Sequence, residues 1–286
     1  RVAGASIFEY ACTVVEHLNK NMGIPTTSDS IGLRIASNKF MSAQFLSYGK
    51  VRTIRTLFSQ KPVDFGFIAS TLSMPLILKT VSGSQSDGVF ILSDELAIST
   101  SLGVFSKNKI NLVLQRYVDS GNPKTDLRVY VVDGKVSAAY KRFALDKDFR
   151  SSYTLSKHGE KVEITDEQAQ MAIDAAKAIG LGVAGVDIIL DSKDNDKPFC
   201  VEVNGNGSLL GISVVTGHNV ALDIVLYAEK IAKKQKQKEK DTKDNEAANP
   251  FEARIQAQHF GDDVPAVQEG MNPKEAMEAV KKKYGF

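Results

Sequence analysis

Tryptophan is absent from this 286-residue chain, and cysteine occurs only at Cys12 and Cys200. Two thiols so far apart exclude a disulfide-stapled scaffold and a cysteine zinc site, so a reducing, cytoplasmic setting is expected. No run approaches the roughly 20 apolar residues of a membrane span, and no signal peptide is visible. The first residue is Arg1 rather than Met, so the native start is expected upstream. Charge of one sign is also scarce. With 36 Lys+Arg against 34 Asp+Glu the net charge is +2, which argues neither for nor against a polyanionic partner. The histidines His17, His158, His218 and His259 fall at no metal-ligand spacing. Neither Gly49-Lys50 nor Gly134-Lys135 is followed by Ser or Thr, which excludes a P-loop.

What is present is a mixed α/β pattern with antiparallel hairpins. Ser6-Ile7-Phe8-Glu9 reads as a capping box, opening a helix with Ile7, Ala11, Val14, Val15 and Leu18 on its apolar face and Gly23 as its stop. A second helix is expected from Asn38 to Tyr48, and a third after Ser93-Asp94, reaching about Phe105. Pro75 to Thr80 reads as a buried strand, hairpinned to Val89–Leu92 across the small polar loop Ser82 to Gly88. Strands are also expected at Asn111–Val118, Asp126–Val132 and Val136–Tyr140, the last two joined by the turn pair Asp133-Gly134. Thr165-Asp166-Glu167-Gln168 is another capping box, for a helix ending at Gly180. Val186–Leu190 and Phe199–Val203 complete the strands, and a helix from about Ala221 runs into a tail. Seven lysines between Lys230 and Lys243 read as a solvated linker or fraying helix, with docking to ribosome or RNA as the minority reading. A last short helix, with Met277, Val280 and Tyr284 on one side, is expected after Asn272.

Two stretches carry candidate chemistry. In Gly185-Val186-Asp187 followed by Val201-Glu202-Val203-Asn204, strand alternation sends Glu202 and Asn204 to one face. Asp187, from the neighbouring strand, can reach that face. Two carboxylates and an amide oxygen suit Mg²⁺, which takes hard oxygen ligands and completes its shell with water and phosphate. The plainer reading is a pair of acids at a turn, and both stand at this point. Lys79 ends an apolar strand just before the serine- and glycine-rich loop, where backbone N–H groups can approach phosphate and a lysine can neutralise it. A solvated strand end is the plainer alternative.

Taken in order, Pro75-Leu76-Ile77-Leu78-Lys79, Gly83-Ser84-Gln85…Gly88-Val89, Asp126-Leu127-Arg128, Asp148-Phe149-Arg150-Ser151 and Ala184-Gly185-Val186-Asp187…Glu202-Val203-Asn204 resemble the RimK-like ATP-grasp ligases, over roughly Arg1 to Ile231. The resemblance implies an ATP-grasp fold, in which two α/β subdomains grip ATP between antiparallel sheets, plus a lysine-rich C-terminal tail. Arg1-Val2-Ala3-Gly4 looks like the close of the family's N-terminal domain. The implied division is 1–28 as a remnant of that domain, 29–114 as the central subdomain, 115–232 as the C-terminal subdomain with the metal site, and 233–286 as linker and short helix.

The same resemblance implies roles. Lys39, Lys79 and Gln85 would contact ATP from the central side. Gln115-Arg116-Tyr117-Val118 would be the hinge at adenine, acting largely through backbone groups. Asp126 would hold the ribose side, and Phe149, Arg150 and Ser151 would lie along the nucleotide and reacting carboxylate. Arg142 and Arg150, bracketing that carboxylate, would clamp it bidentately, with surface salt bridges as the plainer reading. Asp187, Glu202 and Asn204 would hold Mg²⁺, with Mn²⁺ as a substitute. The implied activity is amide-bond formation through an acyl phosphate, adding an amino acid such as glutamate to a small-molecule carboxylate or a protein C-terminus. A non-catalytic ATP-binding module that docks a partner protein is the alternative. The chain departs from the family at Arg116, usually Glu, at Ser86-Asp87, usually richer in glycine, and at Ser152, usually Asn before a Gly-Gly that is missing here.

Overall fold

Short strands with one apolar and one mixed face set the layers of this molecule. In the computed structural model, which describes residues 7–59, 63–81, 88–145 and 158–248, a four-stranded antiparallel sheet contains β1 (Thr56–Ser59), β2 (Leu76–Thr80), β3 (Val89–Leu92) and β4 (Leu112–Arg116), in the order β1-β4-β2-β3. Register sets Leu76 beside Leu92 and Leu78 beside Leu114. These leucines pack on α4 (Phe65–Leu72) and α5 (Glu95–Lys107) through Ile68, Leu72, Ile98 and Leu102. Side chains alternate along a strand, so Ile77, Lys79, Val113 and Gln115 share the other face.

A second antiparallel sheet has the order β7-β6-β5-β8-β9, from β5 (Thr125–Val132), β6 (Lys135–Phe143), β7 (Gly159–Lys161), β8 (Val183–Asp191) and β9 (Lys197–Asn204). On β5, Leu127, Val129 and Val131 enter the main core beside Val186, Ile188, Cys200 and Val203. That face is covered by α2 (Ser30–Ser37), α3 (Lys39–Tyr48) and α6 (Asp166–Ile179). The other face of β5 carries Asp126, Arg128, Tyr130 and Val132. Apolar cover from α7 (Leu209–Thr216) and α8 (Val220–Ala248) gathers at the Tyr130–Val132 end, with Tyr140, Ile212 and Val220. The Asp126–Arg128 end stays polar.

The two sheets are tied at two places. Thr53 bridges Cys200 in parallel, with Cys200 N–H donating to Arg52 O at 2.9 Å and Thr53 Oγ1 donating to Cys200 O at 3.1 Å. The strap leaving β4 is held by the turn of the β8–β9 hairpin. Arg116 Nη2 meets Asp191 Oδ2 at 3.2 Å, Ser192 N–H donates to Asp119 O at 2.8 Å, and Lys193 lies 3.3 Å from the Asp119 carboxylate. The chain divides into two compact units, Arg1–Ala232 and Lys233–Phe286, and the sheets belong to the first.

Most end signals act as expected. Asn38 caps α3 by accepting from Phe40 and Met41 N–H, Asp94 caps α5, and Gly49 follows α3. The Thr165–Gln168 box opens α6, and Gly180, at φ +83°, closes it in the left-handed region that glycine tolerates. The first helix differs. It runs Phe8–Glu16 (α1) and continues as a π-helical turn, His17–Asn21. Its inner side is Phe8, Ala11, Cys12 and Val15, while Ile7 and Val14 are exposed, because α2 meets it there. Ser6 lies outside the described residues, and Glu9 pairs with Arg34 at 3.1 Å. The lysine-rich stretch is helix through Ala248. Lys, Gln and Glu are good helix formers, and Gln235–Glu239 and Gln237–Asp241 hydrogen bonds at i,i+4 support it. The expected helix after Asn272 lies outside the described residues. No single helix among the described residues is long and apolar enough to cross a membrane.

Thr165→Ala removes the oxygen that satisfies Gln168 N–H at the start of α6. The expected cost is about 1 kcal/mol, read in urea as a lower midpoint with an unchanged slope.

Candidate functional site

A β-bulge aims the acidic side chains. Cys200 and Val203 both belong to the main core, yet they are three residues apart, which strict alternation forbids. Asp187 stands opposite Glu202 while Ile188 stands opposite Cys200, leaving Val201 as the extra residue. The slip lets Cys200 and Val203 turn inward while Glu202 and Asn204 stay on the face of Asp187. Burial pushes the Cys200 thiol up, so it is a core side chain and no nucleophile.

On that face lies a quartet of charge, with Asp187 and Arg142 buried and Asp126 and Arg128 largely covered. Arg128 sits opposite Asp187 on one strand pair and opposite Tyr140 on the other. Its Nε donates to one oxygen of Asp187 and its Nη2 to the other, the latter at 2.7 Å. Arg142 closes a second fork on Asp126 at 2.7 and 2.6 Å, and its Nη2 also lies 3.1 Å from Asp187 Oδ1. Asp187 is 6% exposed and Arg142 8%. Burial works against the Asp187 carboxylate, but Arg128 and Arg142 outweigh it and hold its pKa below the ordinary value. For Asp126 burial wins over Arg142, with nearby Asp187 adding to it, and its pKa is raised. Both arginines are held charged by the carboxylates against their own burial. Gly185 and Gly207 leave room for this packing. A Cβ at 185 would lie 3.3 Å from Arg128 Cδ, and one at 207 would lie 2.5 Å from Tyr130 Oη.

Next to the quartet is a cleft lined by Lys39, Ser42, Lys79, Gln115, Val201 and Glu202 among others. Burial lowers the pKa of Lys79, with Lys39 adding to the effect, while Glu202 and Asp187 oppose it. Lys79 has no ion-pair partner among the described residues. Gln115 Nε2 donates to Thr56 Oγ1 at 2.9 Å, but its Oε1 and the Ser42 Oγ are buried without a hydrogen-bond partner among the described residues. Buried orphans of this kind cost stability unless something else fills them. Two lysines and the Ser42 hydroxyl can donate to an anion here, while Gln115 Oε1 can only accept and calls for an N–H or O–H donor.

Asp187, Glu202 and Asn204 form an oxygen-donor set. Asn204 Nδ2 lies 3.4 Å from Asp187 Oδ2 and 3.3 Å from Gly185 O, and a half-turn of the amide would present its oxygen instead. No three His, Cys, Asp or Glu side chains group for a metal among the described residues, so the amide is needed as third donor. Two carboxylates and an amide are the hard oxygen chemistry that suits Mg²⁺.

The expected residues fall in three groups. Lys39, Lys79, Glu202, Asp187 and Asn204 come together at the cleft and the adjoining sheet face. Arg116, Tyr117, Asp126 and Arg142 are partnered. Arg116 is drawn to Asp191 and lies 5.0 Å over the Phe199 ring, and its backbone N–H donates to Arg55 O at 3.1 Å. The Tyr117 ring faces Lys124 at 5.9 Å. Asp126 and Arg142 close on each other, so neither offers a free fork in this state. Gln85, Phe149, Arg150 and Ser151 lie outside the described residues. Arg128, Ser42 and the Gln115 side chain were missed. Arg128 was legible, two residues after Asp126 on the same strand face, whereas nothing in the sequence marked Ser42.

The quartet sets an order of stability. Asp187→Asn leaves Arg128 with no carboxylate partner among the described residues, while Asp126→Asn leaves Arg142 still on Asp187. The first is expected to cost about 3–5 kcal/mol and the second clearly less, by urea unfolding at neutral pH. Because the Asp187 pKa is lowered, its contribution is present above the ordinary carboxylate value and lost as pH falls through the folded value. Asp126, with a raised pKa, changes in the opposite sense, so Asp126→Asn should steepen the acid loss of stability.

The RimK-like ATP-grasp domain model matches residues 36–228. A probable alpha-L-glutamate ligase 1 of Shewanella oneidensis is 36% identical over 233 residues, covering 81% of this chain and 76% of that protein. A probable alpha-L-glutamate ligase of Legionella pneumophila is 33% identical over 231 residues, covering 80% and 75%. Among solved structures, the D-alanine–D-alanine ligase from Bacillus anthracis complexed with ATP superposes with a TM-score of 0.61 at 20% identity, over 78% of this chain and 76% of that one. The ATP-grasp ligase PsnB complexed with a phosphomimetic variant of its minimal precursor, Mg and ADP gives 0.60 at 17% identity, over 79% and 69%. These structural matches speak for the fold, and the sequence matches speak for the lineage. With its two antiparallel sheets and the cleft beside them, the chain belongs to the RimK-like ATP-grasp family of carboxylate–amine ligases.

Proposed function

We propose that the protein joins an amino acid, with glutamate the first choice, to a carboxylate on a small molecule or a protein C-terminus, using ATP. The observation that carries this reading is the meeting of two unlike surfaces. The cleft of Lys39, Lys79 and Ser42 offers donors to an anion, with Gln115 Oε1 as an acceptor beside them, and the adjoining sheet face holds Asp187, Glu202 and Asn204. The glutamate ligases at 33–36% identity supply the choice of amino acid. The catalytic unit in this reading ends at Ala232, with Lys233–Phe286 as a separate unit.

The chemistry balances without a protein nucleophile. A carboxylate oxygen of the acceptor attacks the γ-phosphorus of ATP, the bond to ADP breaks, and an acyl phosphate forms. The amine of the incoming amino acid then attacks the acyl carbon, inorganic phosphate departs, and the amine proton is lost. Lys39 and Lys79 would hold phosphate oxygens and offset the charge that grows on them during transfer. Lys79, partly desolvated, would act more strongly than an exposed lysine. Asp187, Glu202 and Asn204 would hold Mg²⁺, which supplies charge neutralisation at the phosphates. The orphaned Gln115 Oε1 and Ser42 Oγ would receive or share protons with the nucleotide.

Release of ADP with glutamate and a panel of carboxylates tests the reading. Carboxylate-stimulated ADP release is expected from the wild type. Glu202→Gln should lower it by on the order of a hundredfold or more at limiting Mg²⁺, with melting unchanged. Lys79→Ala should weaken ATP by about tenfold to a hundredfold while leaving adenosine almost untouched. If no carboxylate stimulates the wild type, the ligase reading fails. Equal losses for ATP and adenosine would return Lys79 to a packing role.

A further inference from the structure

Arg128 belongs to no role assigned above, yet it is held by a full fork on Asp187. Its side chain, 12% exposed, lies beside Tyr130 in space left by the missing side chains of Gly185 and Gly207. Among the described residues its one carboxylate partner is Asp187, and it occupies both of that residue's oxygens. Arg142 differs. It touches Asp187 through Nη2 alone and keeps a complete fork on Asp126. Asn204 also turns its amide N–H toward Asp187, at 3.4 Å, rather than the oxygen that a metal would require. Arg128 therefore stands where Asp187 would meet a metal.

We propose that Arg128 masks Asp187, so that a divalent cation binds poorly by itself and well only together with an anion that takes over the guanidinium. This rests on the metal-site reading proposed above. The physical reason is an asymmetry. When Asp187 turns to a cation, Arg142 keeps Asp126, but Arg128 becomes a buried charge with no partner, which is strongly unfavourable. An incoming phosphate or carboxylate oxygen removes that penalty, because a guanidinium accepts either anion in the same fork. Cation and anion thus help each other through a residue that need not touch the cation. Such coupling is a free energy shared between the two sites. Glu202 and Asn204 are left unmasked by this arrangement, so the control falls on one of the three donors.

The decisive measurement is Mn²⁺ binding without nucleotide, read from the electron paramagnetic resonance of the free ion. Removing the mask should strengthen it: Arg128→Met is expected to bind Mn²⁺ alone about tenfold more tightly than wild type. Arg128→Lys, which keeps charge but loses the fork, should fall between the two. A structural role for Arg128 predicts the reverse sign, since a loosened site binds metal less well. Circular dichroism and melting identify a variant that fails to fold, in which case Arg128→Lys alone decides by its sign. Lys79→Met serves as a control for charge alone. A gain from Lys79→Met equal to that from Arg128→Met would overturn the masking. So would unchanged or weaker Mn²⁺ binding in both Arg128 variants. A wild type that fails to bind Mn²⁺ even with a non-hydrolysable ATP analogue would instead overturn the metal-site reading and this inference with it.

Discussion

The buried pairing of Asp187 with two arginines is the constraint around which the polar half of the large sheet is built. A carboxylate taken from water must be matched, and the match here comes from strands on its own sheet. Arg128 is its cross-strand neighbour on β5, and Arg142 reaches it from β6. A Cβ at position 185 would press on Arg128 at 3.3–3.4 Å and on the Tyr130 ring at 3.4 Å, so glycine there gives the Arg128 side chain its room. The remaining acids and the amide take positions that this arrangement leaves open.

Two further features turn that charged face toward a cleft. The bulge at Val201 reconciles a core that needs both Cys200 and Val203 with a surface that needs both Glu202 and Asn204. The parallel contact of Thr53 with Cys200 then brings the small sheet alongside, so that Lys79 and Gln115 look toward Glu202. Each feature alone would leave cations and acids on separate surfaces. Together they put a cationic cradle next to an oxygen-donor set, which is the condition for handling a phosphate ester beside a metal.

Much of the fold was legible because its signals are local. Asn38, Asp94 and Thr165 announce helices, Gly180 ends one, and Asp133-Gly134 turns a hairpin, all through bonds that span a few residues. Other elements went unread. α2 follows Asp29, whose carboxylate accepts from Gly32 N–H just as Asp94 accepts at the start of α5, and β1, four residues long, depends on packing through Leu57. For α1, periodicity alone suggested Val14 for the inner face, but α2 selected Cys12. In the site, the acids and Lys79 were readable from strand alternation. The bulge was not, since nothing in Cys200-Val201-Glu202-Val203 states where pairing will slip. The closed fork between Arg142 and Asp126 was hidden for a related reason: strand spacing shows that two side chains share a face, and only register shows that they are opposite each other.

The turn from Asp191 to Lys197 looks like a surface hairpin loop, the sort of place where chains gain and lose residues freely. Here that freedom is curtailed. Asp191 holds Arg116, Ser192 holds the Asp119 carbonyl and Lys193 the Asp119 carboxylate, so one end of the loop is fastened to the strap that joins the two sheets. Lengthening the loop at Ser192 would be transmitted to that strap, whereas the Asp194–Asp196 tip, bonded back to Asp191, could vary without reaching it. Related chains should therefore differ in length at the tip of this hairpin and agree in length at its base.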